Sequence, residues 1–217
     1  RQCVAMLERM VKEDEKHPAL TQKQIDALPQ DKRVAELVWM LRDQNGHQWS
    51  QPGWCDVFSM EEKGTTPAHQ LLAIGYPAAP ALIEALTDDR FSRSVGFHRD
   101  FHFSHTILTV GDCAQQILSR MSGQNFYSPA STSGYMSNED KMLEVQKAAR
   151  KWWDDYQKKG KKQMLVDSIA AGRTSPGPLV QQLKEEAPEA VADAVLRGTK
   201  KADSEWLHRQ FIRELGL

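Results

Sequence analysis

Apolar positions along this chain recur with a spacing of three to four residues. Val4, Leu7 and Val11 follow it, as do Val34, Leu37, Val38 and Leu41 in RVAELVWMLRD. That spacing marks one face of an α-helix. PAHQLLAIG places Ala68, Leu71 and Leu72 on a helix that stops at Gly75. PAAPALIEALTDD follows at once, with Pro77 and Pro80 suited to a first turn, where no N–H is needed. VGDCAQQILSRMSG predicts a helix with Asp112 as N-cap and Gly123 as stop. NEDKMLEVQKAARKWWDDYQKKG predicts a longer helix, capped by Asn138 and closed near Gly160. Four shorter helices are expected in KQMLVDSIAAG, PLVQQLKEEA, PEAVADAVLRG and SEWLHRQFIRELG. No stretch reads as a convincing strand, so the expected fold class is all-α.

Two of these helical pairs repeat. LVWMLRD from Leu37 aligns with LIEALTD from Leu82 at an offset of 45, and AHQLL from Ala68 aligns with AQQIL from Ala114 at an offset of 46. A period of roughly 40 to 47 residues is that of HEAT-type units. GYPAAPALIEALTDD resembles the first helix of a HEAT repeat, with its proline, a Leu-Ile-x-x-Leu stripe and an acidic exit. VGDCAQQILSRMSG is similar to the second helix of such a repeat. One departure is Val110–Gly111, where a HEAT unit usually carries Val-Arg after a short turn. The resemblance implies a right-handed α-solenoid of stacked helical hairpins over 1–217. Its best-matching repeats are 33–75 and 77–123, followed by a long helix 138–159 and C-terminal hairpins 162–216. It also implies a scaffold whose usual role is to present a surface to a partner.

Both repeats are interrupted between their first and second helices, over 44–66 and 89–109. Equivalent turns of neighbouring solenoid repeats share an edge, where insertions often build a binding face. That edge would gather Trp49, Trp54, Phe58, Phe97, Phe101 and Phe103 with His47, His98, Arg99, His102 and His105. A polar loop, GQNFYSPASTSGYMSN, follows and would border it. The stretch GFHRDFHFSH, 96–105, admits three readings. Its aromatics form a small satellite core beneath a long loop. Alternatively, Trp49, Trp54, Phe97, His98, Arg99, Phe101, His102 and His105 form a recognition site of aromatic platforms with polar donors. Or His98, His102 and His105, spaced i, i+4 and i+7, share one helical face and hold a zinc-type ion, with Asp100 or Asp112 in support. That third reading would make a metal-dependent hydrolase or lyase. Against it, the segment also alternates, and neither HExxH nor paired cysteines are present.

Composition narrows the classes further. The 28 Lys and Arg against 29 Asp and Glu give a net charge of −1, which disfavours a nucleic-acid partner. KKGKKQ, 158–163, reads as the solvated end of a helix. No run of apolar residues is long enough to span a membrane. Cys3, Cys55 and Cys113 are isolated, with Cys113 expected in the core and Cys55 partly exposed. No GxSxG, phosphate-cradling glycine loop or dinucleotide fingerprint occurs, so no cofactor is implied and nothing supports a small-molecule site. The start at Arg1, without initiator methionine or signal-like segment, reads as a processed or trimmed product with no legible address. The function expected is non-catalytic: a binding scaffold for a protein or peptide partner.

Overall fold

Most of the chain is helical, as its periodicity predicts, but the two insertions contain strands. The computed structural model describes residues 2–48, 55–58, 66–97, 105–124, 126, 139–173 and 175–216. Ten α-helices lie within them: α1 Gln2–Asp14, α2 Gln22–Asp26, α3 Gln30–Trp39, α4 Pro67–Ile74, α5 Ala79–Ala85, α6 Val110–Ser122, α7 Glu139–Ala170, α8 Gly177–Glu186, α9 Val191–Lys201 and α10 Glu205–Glu214. Where the sequence leads one to expect a single array, the chain divides into two compact units. One comprises residues 1–121 and 126–148, the other 122–125 and 149–217.

In the first unit the aligned stripes are the core. Leu37 and Leu41 at the end of α3, Leu82 and Leu86 at the end of α5, Leu71 of α4, and Ile117 and Leu118 of α6 are all buried. Each such side chain contributes about 1.5–3 kcal/mol by leaving water. In three of the aligned pairs both residues are buried: Leu37 with Leu82, Leu41 with Leu86, and Leu71 with Ile117. The short helix α2 escapes periodicity because it has only five residues. A reciprocal capping box nonetheless holds it: Thr21 accepts from the Gln24 N–H, and Gln24 Oε1 accepts from the Thr21 N–H at 2.9 Å.

Two details of the expected caps change. Asp112 is not the N-cap of α6. The helix starts at Val110, and Thr109 caps it: the Asp112 N–H donates to Thr109 Oγ1 at 3.1 Å, and Asp112 Oδ2 accepts from the Thr109 N–H at 2.8 Å. Thr-Val-Gly-Asp is thus another capping box. The glycine that departs from the HEAT pattern also has a physical reason. A Cβ at Gly111 would collide with the Leu86 carbonyl, because the first turn of α6 passes against the end of α5 and the Gly111 N–H donates to Asp88 O at 3.0 Å.

In the second unit, Leu165, Val166 and Ile169 of α7 form one core with Leu179, Val180 and Leu183 of α8, Ala194 and Val195 of α9, and Phe211 of α10. The expected break at Gly160 is present. Its φ of 76° and ψ of 166° interrupt α7, a conformation that favours glycine. Asn138, expected to cap α7, lies outside the described residues.

The correction to an all-helical reading lies in the insertions. The first contains β1 (His47–Gln48) paired antiparallel with β2 (Cys55–Asp56). The second contains β3 (Phe91–Phe97) paired antiparallel with β4 (His105–Thr109), in register Val95↔Ile107 and Phe97↔His105. The register shifts between Phe91 and Val95, so β3 carries extra residues there. FSRSVGF and HTILT do alternate, and β-branched residues favour strands. The helical reading of the surrounding chain masked that signal.

Candidate functional site

The site is the pair of strand-bearing insertions, and Gln44 joins them. Gln44 follows the last turn of α3 and is 1% exposed. Its backbone carbonyl accepts from the Arg93 N–H at 3.2 Å and from Ser94 Oγ at 2.8 Å, both on β3. Its side-chain Nε2 donates to Val57 O at 3.2 Å, just past β2, and its Oε1 accepts from the Ala68 N–H at 3.0 Å, in the first turn of α4. One buried amide therefore secures the first insertion and α4, while its carbonyl secures the second insertion. Gln116 of α6 adds a second clamp. Its Oε1 accepts from the Val57 N–H at 3.1 Å and its Nε2 donates to Cys55 O at 3.0 Å. The expected adjacency of the two insertions is therefore present where both are described.

The second hairpin is inverted relative to an ordinary half-buried sheet. Among the hairpin residues whose burial is described, the two buried ones are hydroxylic, Ser92 and the fully enclosed Ser94, while Phe91, Leu108 and Thr109 are half-buried. Ser92 Oγ donates to Leu108 O at 2.9 Å and accepts from the Ser94 N–H at 3.1 Å. Its exposed residues include the cross-strand pair Val95 and Ile107, 41% and 42% exposed. The pair Phe97↔His105 follows two positions along the ladder. Arg93, in the irregular part of β3, forms a surface ion pair with Asp43 at 3.0 Å.

Among the expected contact residues, Phe97 ends β3 and His105 opens β4, directly opposed in register. The other six, Trp49, Trp54, His98, Arg99, Phe101 and His102, lie outside the described residues, as does Phe103. Phe58 is a core residue, 8% exposed, with the Arg120 guanidinium 4.7 Å from its ring centroid and the His69 ring edge-on at 5.5 Å. Phe58 is therefore a packing residue of the first insertion. His105 is in a strand, so one helix carrying His98, His102 and His105 on a shared face is not formed. Asp112 is engaged by Thr109, and burial raises its pKa above the ordinary carboxylate value. Among the described residues, no group of three His, Cys, Asp or Glu side chains is placed to hold a metal ion.

Cys55 is buried, contrary to the partial exposure expected. Desolvation raises its thiol to about 11, offset only in part by a hydrogen bond with Ser94, and raises the Cys113 thiol to about 12. Thiolate nucleophiles need the opposite shift, so both cysteines are packing residues. Three lysines of the KKGKKQ run are already paired: Lys159 with Asp167 at 2.8 Å, Lys161 with Glu186 at 3.4 Å and Lys162 with Glu189 at 2.6 Å. Trp152 is buried, and Trp153 stacks on Tyr156 with ring centroids 5.1 Å apart. No described helix is long and apolar enough to cross a membrane.

Sequence reasoning missed Gln44, Ser92, Ser94 and Gln116. The repeat alignment did pair Gln116 with Gln70, and that correspondence was a usable signal. Gln70 of α4 exchanges side-chain hydrogen bonds with Gln22 of α2 at 3.0 and 3.1 Å, as Gln116 clamps the first insertion. No family model matches this chain, nor does any curated protein or solved structure.

Proposed function

We propose that this chain is a non-catalytic scaffold on a HEAT-like helical frame, presenting its strand-bearing edge to a protein or peptide partner. The contact surface in this reading comprises Val95 and Ile107 together with Trp49, Trp54, Phe97, His98, Arg99, Phe101, His102 and His105. The observation that carries it is the inverted hairpin. A hairpin that needed only to cover the helices would turn its aliphatic residues toward them. This one buries Ser92 and Ser94 and leaves Val95 and Ile107 in solvent. Solvent-facing apolar pairs beside aromatic loop sequence suit recognition rather than stability. The HEAT-like frame is supported by the two helix–insertion–helix pairs, whose buried positions correspond at the repeat offset.

The test is selection of peptides from a displayed library against the full chain, followed by affinity measurement on Val95→Thr/Ile107→Thr. Threonine keeps the β-branched shape but removes apolar area, so the melting temperature is expected to stay and the affinity to fall roughly tenfold. Peptides whose affinity is the same for both proteins would place recognition elsewhere. A selection that enriches no peptide would remove the scaffold reading.

A further inference from the structure

The first helix is attached by charge. None of the residues Cys3–Asp14 is buried, and Met6 and Met10 are its only half-buried apolar side chains. Val4, Leu7 and Val11 are 59%, 52% and 56% exposed, so the apolar stripe of α1 faces largely outward. Polar contacts hold the helix instead. Glu13 Oε2 lies 3.2 Å from Arg90 Nη1 and 3.9 Å from Arg42 Nη1. Asp14 Oδ1 lies 2.9 Å from Arg42 Nη1, an ion pair that does not reach hydrogen-bond geometry. Arg42 Nη2 donates to Met10 O at 3.0 Å, and Arg9 reaches Asp89 at 2.8 Å. Just beyond the helix, His17 lies 2.9 Å from a Glu36 carboxylate oxygen and stacks on Trp39 with centroids 4.2 Å apart. The guanidiniums of Arg42 and Arg90 lie 4.6 and 4.7 Å from that same indole.

We propose that α1 is a detachable strap, closed by this carboxylate–guanidinium clasp over Trp39, Arg42 and Arg90, and opened by ionic strength. A helix docked through apolar burial would be indifferent to salt. One docked through partly exposed ion pairs weakens as the screening length falls from about 10 Å at 0.1 M to about 3 Å at 1 M. A free helix of this length is marginal in water, so opening also unfolds it and exposes its amides. Release uncovers Arg42, whose side chain is only 5% exposed in the closed state. Behind it, α3 packs on α4 and α5.

Hydrogen exchange of the full chain, followed by mass spectrometry, tests this. Between 0.1 and 1 M NaCl, peptides covering 2–14 are expected to exchange roughly tenfold faster, while 34–41 stays protected. In 0.1 M NaCl, Glu13→Gln is expected to produce a similar acceleration, and Lys12→Gln is not. Glu13→Gln also removes the Arg9–Glu13 pair within the helix, 3.5 Å apart, worth about 0.3–0.5 kcal/mol. A neutral residue near a helix C-terminus offsets that loss, so an acceleration of about tenfold reports lost docking rather than lost helicity. Exchange of 2–14 in step with 34–41 overturns the proposal, as does indifference of 2–14 to salt or to Glu13→Gln.

Discussion

Replacing Gln44 by methionine isolates the polar part of the joint between the two insertions. Methionine keeps the length and approximate volume of glutamine, so no large cavity opens. Three backbone groups lose a partner: the Ala68 N–H at 3.0 Å, the Val57 carbonyl at 3.2 Å and the Asn45 carbonyl at 2.6 Å, the last on an exposed residue that water can reach. Ala68 and Val57 are both fully buried, so water does not substitute. Each orphaned buried group costs about 1–3 kcal/mol, offset by about 1 kcal/mol of methionine transfer, for a net loss of about 1–5 kcal/mol. The Gln44 carbonyl still accepts from Arg93 and Ser94, so the hairpin is loosened without being cut free. Because the chain has two units, a single melting curve mixes their contributions. The better assay is hydrogen exchange read segment by segment. Residues 55–58, 66–74 and 91–97 are expected to exchange between about fivefold and several thousand-fold faster, while 165–183 of the second unit stays unchanged. A change below about fivefold in the first unit would mean that these hydrogen bonds contribute less than 1 kcal/mol, and the role given to Gln44 would fail.

Gly111→Ala is expected to lower the melting temperature of the first unit by several degrees, for a loss of about 2 kcal/mol. Alanine is the better helix former by about 1 kcal/mol, so calorimetry showing a rise would refute the close approach of α6 to Leu86. Asp112 gives a pH signature. Burial raises its folded pKa above 3.8, so its contribution is fully present below that value and is lost as pH rises through the folded pKa. Asp112→Asn keeps an oxygen for Thr109 and removes the titration, so it is expected to gain on the wild type from pH 3.8 upward in urea midpoints. A wild type that gains on the variant over that range would contradict the burial. Asp112→Ala is expected to cost about 1 kcal/mol below pH 3.8 through loss of the capping box, and less as pH rises through the folded pKa.

Long helices were legible because periodicity is redundant over ten or more residues. α3, α5 and α6 each carry three or four apolar positions at one spacing, and the aligned Leu37, Leu82 and Ile117 are buried in the core. What periodicity does not report is which face is covered. Val4, Leu7 and Val11 satisfy the same template as Leu37 and Leu41, yet they are more than half exposed, whereas Leu37 and Leu41 are fully buried. The strands were missed for a related reason. β1 and β2 have two residues each, too few for any alternation to register. In β3 the alternation exists, but the serines point inward and the aliphatics outward, which reverses the usual hydrophobic rule. The adjacency of the insertions was inferred from the repeat offset, whereas its cause, a buried glutamine, carries no pattern. A single amide is recognisable as a joint only when its backbone partners are known. The histidine spacing shows the opposite error, a helical face drawn on residues of which His105 is extended.

The hydroxylic underside of the second hairpin has a thermal consequence. Contacts made through Ser92, Ser94 and the Gln44 carbonyl expose polar surface when they open, which lowers the heat capacity change instead of raising it. The leucine-lined frame behaves the other way, since apolar attraction weakens on cooling. The two layers therefore have opposite temperature preferences. Warming from the cold tightens the helices while it loosens the hairpin lying on them, and chilling does the reverse. A partner recognised through Val95 and Ile107 would meet its most ordered surface in the cold and a larger entropic cost of ordering it in the warm.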